Sequence, residues 1–312
     1  MEGISETAIL KFNENQLNEV RKNVGYEDVN KLKQDIDHLE DWIKKQNHYT
    51  IKDFNRDYLE RLLIYNKGSI ERAKQKFDKL CTCTNLMPEY HQNFDIKNEF
   101  HHLFNIANVC LLPVPTKENY RVLMNRLTGV DDFEFQMISY YRYILLMGHY
   151  MLNNDYCHGY EIVADSRKLT FDILTKCNPI AIHKVLTLLM EAMGKRIKRF
   201  HMISGTGLFD ALLTIVKQGL TAKLRQRLIL HPTFESLYEY IPKENLPEDF
   251  GGEGKTMKEL TESNFKEMCS DKHIARVKFM EKCSTDESRR LACKFNEEYS
   301  GMPGSFKVLT VD

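Results

Sequence analysis

The stretch that decides the fold begins with YEIVAD (residues 160–165) and ends with IKRFHMI (residues 197–203), with two helical segments between them. Both strand-like runs are short and apolar, whereas residues 169–176 and 181–193 between them show helical spacing. The alternation extends outward. NYRVLMNR (residues 119–126) and LILH (residues 228–231) are further predicted strands, and residues 133–152 and 208–218 further helices. Strands joined through helices imply crossover connections, so the sequence predicts a mainly parallel sheet.

The N-terminal part of the chain carries a different pattern. Val29, Leu32, Ile36, Leu39 and Ile43 recur at spacings of three and four, which places them on one face of a helix, and no strand signal interrupts the first 90 residues. We therefore predict an α/β protein with an all-helical N-terminal domain (residues 1–94). An α/β domain with a mainly parallel sheet and helices follows (95–260), and then a C-terminal helix and polar tail (261–312).

Composition excludes several classes of protein. The 312 residues include 44 Lys+Arg and 44 Asp+Glu, and this zero formal charge argues against a general nucleic-acid binder. No secretory signal and no membrane-spanning stretch is visible. The eight cysteines are scattered rather than arranged as a disulfide framework. We expect a reduced, cytoplasmic protein that is a monomer and binds no nucleic acid.

Motifs for catalysis are weak. Gly254-Lys255-Thr256 ends like a phosphate-binding loop, but position 249 is Asp where that loop needs Gly. Gly205-Thr206-Gly207 lacks the third glycine of a dinucleotide-binding turn. No spacing indicates a metal site or a nucleophile with its base. We expect no enzyme activity, no cofactor and no metal.

Two features of the sequence, a short apolar helix and a cluster of basic residues around it, suggest a function. Residues 208–216 (LFDALLTIV) form a short apolar helix between glycine-bearing turns, which fits either an ordinary core helix or a mobile lid over a cavity. Around it, residues 195–227 contain eight basic residues and one acid, Asp210. This charge fits either a solvated face or a surface that docks on an anionic membrane.

The segment LPEDFGG (residues 246–252) resembles the C-terminal signature of the CRAL-TRIO family, which includes the cellular retinaldehyde-binding and α-tocopherol transfer proteins. FHMI (residues 200–203) and residues 208–227 are similar to the same family, whereas DSRK (residues 165–168) departs from its usual Asp-x-Glu-Gly. The resemblance implies a carrier, not an enzyme, that holds one small hydrophobic molecule in a pocket under a lid helix.

The resemblance and the faces of the predicted elements together indicate the residues that line this pocket. They are Ser139, Arg142, Tyr143, Leu146, Tyr160, Ile162, Ala164, Val185, Leu188, Leu189, Met193, Phe200, Met202, Leu208, Leu212, Leu213 and Val216. A wall with few polar groups suits a retinoid, a carotenoid or a tocopherol-like molecule. Among the clustered cations, Arg196, Lys198, Lys223 and Arg227 fall on positions that bind phosphoinositide headgroups in the family, and we add Lys217.

The leading hypothesis is a lipid-transfer protein that exchanges its ligand at phosphoinositide-containing membranes, to which it binds peripherally and reversibly. The alternative is a regulatory or adaptor module that senses phosphoinositides without transferring a ligand. A nucleotide-dependent enzyme is the third class, and it predicts binding of ATP or NAD.

Overall fold

The N-terminal region is helical in the structure, a computed structural model that describes residues 7–205 and 207–290. Its helices are α1 (Gln16–Lys22), α2 (Val29–Lys45), α3 (Arg56–Tyr65), α4 (Ile70–Leu86), α5 (Pro88–His91) and α6 (His101–Ile106). The predicted stripe on α2 is buried from Leu32 to Ile43, whereas Val29 is exposed. Asp28 and Ser69 cap α2 and α4 by accepting hydrogen bonds from backbone N–H groups of the first turn. The all-helical prediction is confirmed.

The sheet follows from residue 107 onward. Its strands are β1 (Ala107–Leu111), β2 (Tyr120–Leu127), β3 (Gly159–Asp165), β4 (Ile197–Ile203) and β5 (Leu228–His231). They lie in the order β1-β2-β3-β4-β5; β1 is antiparallel to β2, and the other neighbours are parallel. The prediction of a mainly parallel sheet is confirmed, and the antiparallel edge strand β1 is an addition to it.

Helices connect the parallel strands. They are α7 (Met137–Asn154), α8 (Phe171–Lys176), α9 (Pro179–Thr187), α10 (Phe209–Gly219) and α11 (Ala222–Arg225). A π-helical turn at Leu188–Ala192 continues α9, and Gly194 follows it with a φ of 69°, as expected of a glycine that ends a helix. After 3-10 turns come α12 (Met257–Met268) and α13 (Asp271–Glu281), and a last 3-10 turn covers Glu287–Arg289.

The two faces of the sheet are covered differently, because successive side chains of a strand point to opposite sides. Val122, Met124 and Val163 pack against the C-terminal segment, in a core with Leu237, Ile241, Leu246, Phe250 and Met257. Their neighbours Leu123, Ile162 and Ala164 point to the opposite face, toward α7, α9 and α10. This second face carries the candidate site.

The segment LPEDFGG has a structural role at the covered face. A Cβ atom on Gly251, whose φ is 68°, would approach the Tyr238 hydroxyl to 2.5 Å, so this position requires glycine. Asp249 forms an ion pair with Arg126 of β2 and accepts a hydrogen bond from the backbone N–H of Met257. The neighbouring Thr256 caps α12 in a reciprocal arrangement with Glu259, which accounts for the sequence Gly-Lys-Thr without a nucleotide.

Domain boundaries stay a prediction. A single buried core runs from Ile9 to Cys283 and contains residues of the N-terminal helices and of α7 alike. Of the predicted polar tail, Arg290 forms a buried ion pair with Asp78 of α4, with Nη1 2.8 Å from Oδ2. Residues 291–312, including Cys293, lie outside the described residues.

Candidate functional site

A cavity of about 200 Å³ lies between the second face of the sheet and the helices that cover it. Strands β1 to β4 form its floor, α7 and α8 one side, and α9 with α10 the roof. The apolar lining residues are Ile106, Ala107, Leu123, Leu127, Phe135, Met137, Ile144, Ile162, Ala164, Leu169, Ile173, Ile182, Val185, Leu186, Leu189, Phe200, Met202, Leu212, Val216 and Leu220. Such a lining favours an apolar occupant over a charged one.

A few polar groups also reach the cavity. The Tyr140 hydroxyl donates a hydrogen bond to Oδ1 of Asn125, with an O–O distance of 3.0 Å. Burial raises the pKa of Tyr140, so this hydroxyl remains a neutral donor. Ser166 lines the cavity but donates to the carbonyl of Ile203 at 2.7 Å. The cavity can therefore offer a hydroxyl or carbonyl group of a ligand a small number of neutral partners.

Charged side chains at this edge are paired with one another. Asp165 accepts hydrogen bonds from Arg167, with Nη2 2.7 Å from Oδ2, and Nε of Arg126 lies 3.8 Å from the same carboxylate. Arg126 is also paired with Asp249. Each of these charges has a partner of opposite sign. The charged side chains at this edge of the cavity therefore do not need a charged ligand as a counterion.

Helix α10 covers the cavity as an amphipathic element. Leu212 and Val216 face the cavity, while Asp210, Thr214 and Lys217 are exposed on the outer side. The helix packs against α9, and its last residue, Gly219, lies close to Ile182. Gly205 likewise lies against the backbone of Arg167, and neither glycine has a positive φ. Both glycines thus allow close packing at the two ends of α10.

Eight of the predicted ligand-binding residues line the cavity. They are Ile162, Ala164, Val185, Leu189, Phe200, Met202, Leu212 and Val216. The β4 residues alternate as predicted, with Phe200 and Met202 facing the cavity and His201 pointing to the opposite face, where it contacts Glu161 and His231. Their contact with a ligand stays a prediction.

The structure places the other nine away from the cavity. Arg142 lies on the opposite side of α7, where its Nη2 is 3.0 Å from the Glu99 carboxylate and its Nη1 donates to the carbonyl of Glu89 at 2.7 Å. Ser139 lies on the same side, beside Arg142 in a shallow surface groove. Arg142 therefore anchors the segment between α5 and α6, contrary to its predicted role at the pocket margin.

Tyr143 and Tyr160 also serve other contacts. The Tyr143 ring packs edge-on against Phe100 and Phe104. The Tyr160 hydroxyl donates to the Tyr65 hydroxyl at 2.7 Å and accepts from Nζ of Lys195 at 3.0 Å. Because α3 covers this end of β3, Tyr160 lies on the correct face of its strand but outside the cavity.

The remaining five are core residues. Leu146, Leu188 and Met193 are fully buried in the largest core, and Leu208 packs against its surface. Leu213 belongs to the smaller core between α10 and β4. These five residues pack in the cores around the cavity and do not line it.

The sequence-based choice of the α7 face was wrong for a physical reason. From Tyr141 to Leu152 every residue of α7 is buried, so the apolar pattern continues around the whole helix and marks no single face. The face toward the cavity carries Met137, Tyr140, Tyr141 and Ile144 instead. The missed polar residue Asn125 did have a signal, since it alternates with Leu123 and Leu127 along β2.

The five predicted headgroup residues differ in their surroundings. Lys217 and Lys223 are exposed on α10 and α11. Lys198 forms an ion pair with Glu118, 2.8 Å between Nζ and Oε2, and this hydrogen bond lowers the pKa of the Glu118 carboxyl. Arg196 and Arg227 donate to the backbone carbonyls of His158 and Ile197. The two lysines are therefore the cations best placed to meet an anionic surface.

Residues 7–205 and 207–290 contain neither a candidate metal centre nor a candidate membrane-spanning helix. No group of three or more His, Cys, Asp or Glu side chains there is arranged to hold a metal ion. Within the same ranges, no helix combines the length and the apolar character needed to span a bilayer.

Known proteins share this chain's sequence pattern. The alpha-tocopherol transfer protein-like protein of Mus musculus is 23% identical over 221 residues, which cover 70% of this chain and 64% of that protein. Clavesin-2 of Rattus norvegicus is 26% identical over 135 residues, covering 42% of this chain and 41% of that protein. A crystal structure of Sfh5 overlaps with a TM-score of 0.47 and 14% identity, over 75% of this chain and 91% of that one.

The match thus spans less than two thirds of the length of these curated relatives. The family model described as the CRAL/TRIO domain matches residues 107–252, which extend from β1 through all five strands and the cavity helices to the glycines of LPEDFGG. Residues 107–252 of this chain therefore match the CRAL/TRIO domain.

Proposed function

We propose that this protein binds one small hydrophobic molecule in the cavity beneath α10 and exchanges it at phosphoinositide-containing membranes. The observation that carries the proposal is the apolar cavity, which α9 and the amphipathic helix α10 cover. The similarity to a protein named alpha-tocopherol transfer protein-like supports a transfer role. On this proposal the protein acts as a cytoplasmic monomer that attaches to membranes reversibly and catalyses no reaction.

The ligand is a lipophilic molecule with one polar end, such as a retinoid, a carotenoid or a tocopherol. The apolar body would lie between the sheet and α9–α10, where the lining is aliphatic and aromatic. Its polar end would meet Asn125 and Tyr140, which provide an amide and a hydroxyl group 3.0 Å apart. A fully charged headgroup would lose its hydration in the cavity, which costs free energy. It would gain no ion pair in return, because Arg126 and Asp165 are already paired.

Exposed apolar side chains beside the cavity support membrane contact. Phe133 is 87% exposed and Phe171 is 68% exposed, and Ile180 is also exposed at the start of α9. Each lies two positions from a residue that lines the cavity, namely Phe135, Ile173 and Ile182. Together with Lys217 and Lys223, these side chains would bring the cavity helices to the membrane surface, because cations attract anionic lipids while apolar tips enter the interface.

The decisive experiment combines lipid analysis with a variant that fills the cavity. Ala164 lies near the end of β3 and faces the cavity, so Ala164→Phe should occupy the space of the ligand. We expect organic extraction and mass spectrometry to recover stoichiometric lipid from the wild type and from the exposed control Ala222→Phe, but not from Ala164→Phe. Uptake from donor vesicles should follow the same order.

The carrier proposal would be wrong if the wild-type protein contained no bound lipid and took up none from donor vesicles. If that protein still bound phosphoinositide vesicles, the phosphoinositide-sensing adaptor would replace it.

A further inference from the structure

A second cleft, separate from the apolar cavity, lies where the N-terminal helices meet the C-terminal ones. It has a volume of about 680 Å³ and is lined by the start of α3, the end of α7, and α13. Its polar lining residues are Thr7, Asn55, Asp57, Tyr58, Arg61, Tyr150, Asn153, Asn154, Tyr156, Glu267, Ser270, Lys272, His273 and Arg276. Unlike the apolar cavity, this cleft presents mainly polar groups.

Arg276 is the unusual member of this cleft. Its Nε and Nη2 atoms are buried and have no hydrogen-bond partner. Its Cζ atom lies 4.8 Å from the ring centroids of both Tyr58 and Phe279, so two aromatic rings hold the guanidinium in place. Burial lowers the pKa of Arg276, and the nearby charge of Arg61 acts in the same direction.

Two more buried polar atoms of the same cleft lack a partner. They are the Tyr58 hydroxyl and Nε2 of His273. Arg61, which stacks on Tyr156, donates through Nε to the carbonyl of Leu152 at 2.9 Å. Within residues 7–205 and 207–290, neither Arg61 nor Arg276 forms an ion pair with a carboxylate. Buried polar groups in folded proteins are nearly always satisfied, so several unsatisfied donors in one cleft indicate a missing acceptor.

Carboxylates of the cleft do not fill this role. Asp57 and Glu267 line it, and Glu267 accepts a hydrogen bond from Tyr150 at 3.0 Å. Burial is the main cause that lowers the pKa of Arg276; Tyr58 and Cys283 act against it, and Arg61 acts in the same direction. An incoming anion would meet two guanidinium groups, a hydroxyl and an imidazole, beside the carboxylates of Asp57 and Glu267.

We propose that this cleft binds the phosphate group of a phosphate monoester, held by Arg276 and Arg61 with Tyr58 and His273. Arginine suits this ligand because its planar fork of donors matches phosphate oxygens and forms charge-assisted hydrogen bonds. The aromatic rings of Tyr58, Tyr156 and Phe279 would contact the organic part of the molecule. The phosphate can belong to a soluble ester or to a lipid headgroup, and the cleft works independently of the apolar cavity.

Calorimetry in phosphate-free buffer tests the soluble source, with inorganic phosphate and glycerol 3-phosphate as probes. The variants are Arg276→Met, Tyr58→Phe and the exposed control Arg72→Met. We expect Arg276→Met to weaken binding of the probes at least about tenfold, since a hydrogen bond to a charged group contributes about 1.5–3 kcal/mol. Tyr58→Phe should weaken binding less, and Arg72→Met should leave it unchanged.

Flotation with phosphatidylcholine vesicles, with and without phosphatidic acid, tests the lipid source. Loss of the phosphatidic-acid-dependent part in Arg276→Met would assign the site to a headgroup. The melting temperature of the unliganded variant must stay equal or rise, because Arg276→Met removes a buried cation without a partner. The proposal fails if neither probe nor lipid responds to Arg276→Met, which would leave ordered water as the only occupant.

Discussion

Gly219 of α10 packs directly on Ile182 of α9, so closely that a Cβ atom at this glycine would lie 2.7 Å from Cγ2 of Ile182 and 2.9 Å from the carbonyl of Pro179. One of these contacts involves backbone, which cannot rotate away. The roof of the cavity therefore depends on a position without a side chain.

Gly219→Ala should loosen the roof. Alanine favours helix over glycine by up to about 1 kcal/mol, but the overlap with Ile182 and Pro179 opposes this gain and costs about 1–3 kcal/mol. We expect a lower melting temperature and faster loss of bound ligand to acceptor vesicles. Gly207→Ala is the matched control, since a Cβ atom there meets no atom within 4 Å. Equal exchange rates for the two variants would show that α10 does not gate the cavity.

Lys217 and Lys223 should account for most of the electrostatic attraction to anionic vesicles. Each lysine near an anionic leaflet contributes about 1 kcal/mol, or about fivefold in affinity. We expect Lys217→Ala with Lys223→Ala to weaken binding to phosphoinositide vesicles more than Lys198→Ala, because Lys198 is already paired with Glu118. Co-sedimentation at two salt concentrations measures this, with Lys33→Ala and Lys258→Ala as the control pair. An equal loss in the control pair would contradict a localised docking surface.

The alternation of strands and helices made the fold predictable, since β3 and β4 are short apolar runs whose faces follow from a period of two. Ile162, Ala164, Phe200 and Met202 accordingly share the face of the sheet that lines the cavity. The face of α7 was not predictable, because burial all around that helix removes the amphipathic signal.

The sequence did not indicate which basic side chains form ion pairs in the folded protein. Lys198 and Lys217 look equivalent along the chain, yet only a folded structure brings Glu118 next to Lys198, 80 residues away. The same limit applies to Arg142, whose acceptors all lie 43 or more residues earlier. Long-range polar contacts of this kind leave no local pattern.

Three buried histidines should make folding sensitive to acid. His91, His149 and His273 each have a ring nitrogen without a partner. Burial lowers the pKa of His91 and of His273 to about 4 and that of His149 well below its ordinary value, and Arg142, Lys195 and Arg276 add repulsion.

Between pH 4 and about 6.5 the unfolded chain then binds more protons than the folded one, so this contribution to stability is complete above pH 6.5 and is lost as the pH falls toward 4. Each histidine adds up to about 1.4 kcal/mol per pH unit in that window. Urea unfolding at several pH values should show a shallower dependence for His149→Gln, whereas the exposed control His38→Gln should match the wild type. Identical slopes for all three proteins would show that His149 does not titrate on unfolding.

The ion pair between Arg121 of β2 and Asp155 after α7 should be the costliest to break. Nε and Nη2 of Arg121 lie 2.9 and 3.0 Å from the two carboxylate oxygens, and both side chains are fully buried. Asp155→Asn keeps the volume but leaves the guanidinium charge without its counterion. Removing one partner of a buried pair costs about 3–5 kcal/mol, because the other charge stays desolvated. The exposed pair of Arg56 and Asp37, 2.7 Å apart, provides the comparison, and Asp37→Asn should change stability by less than about 1 kcal/mol. Chemical denaturation of the two variants measures the difference directly.

Because Arg121 also donates to the backbone carbonyl of Lys11 at 3.0 Å, Asp155→Asn should in addition speed proteolysis near residue 11. An Asp155→Asn protein as stable as Asp37→Asn would mean that water reaches Arg121 and that the site is not closed in solution.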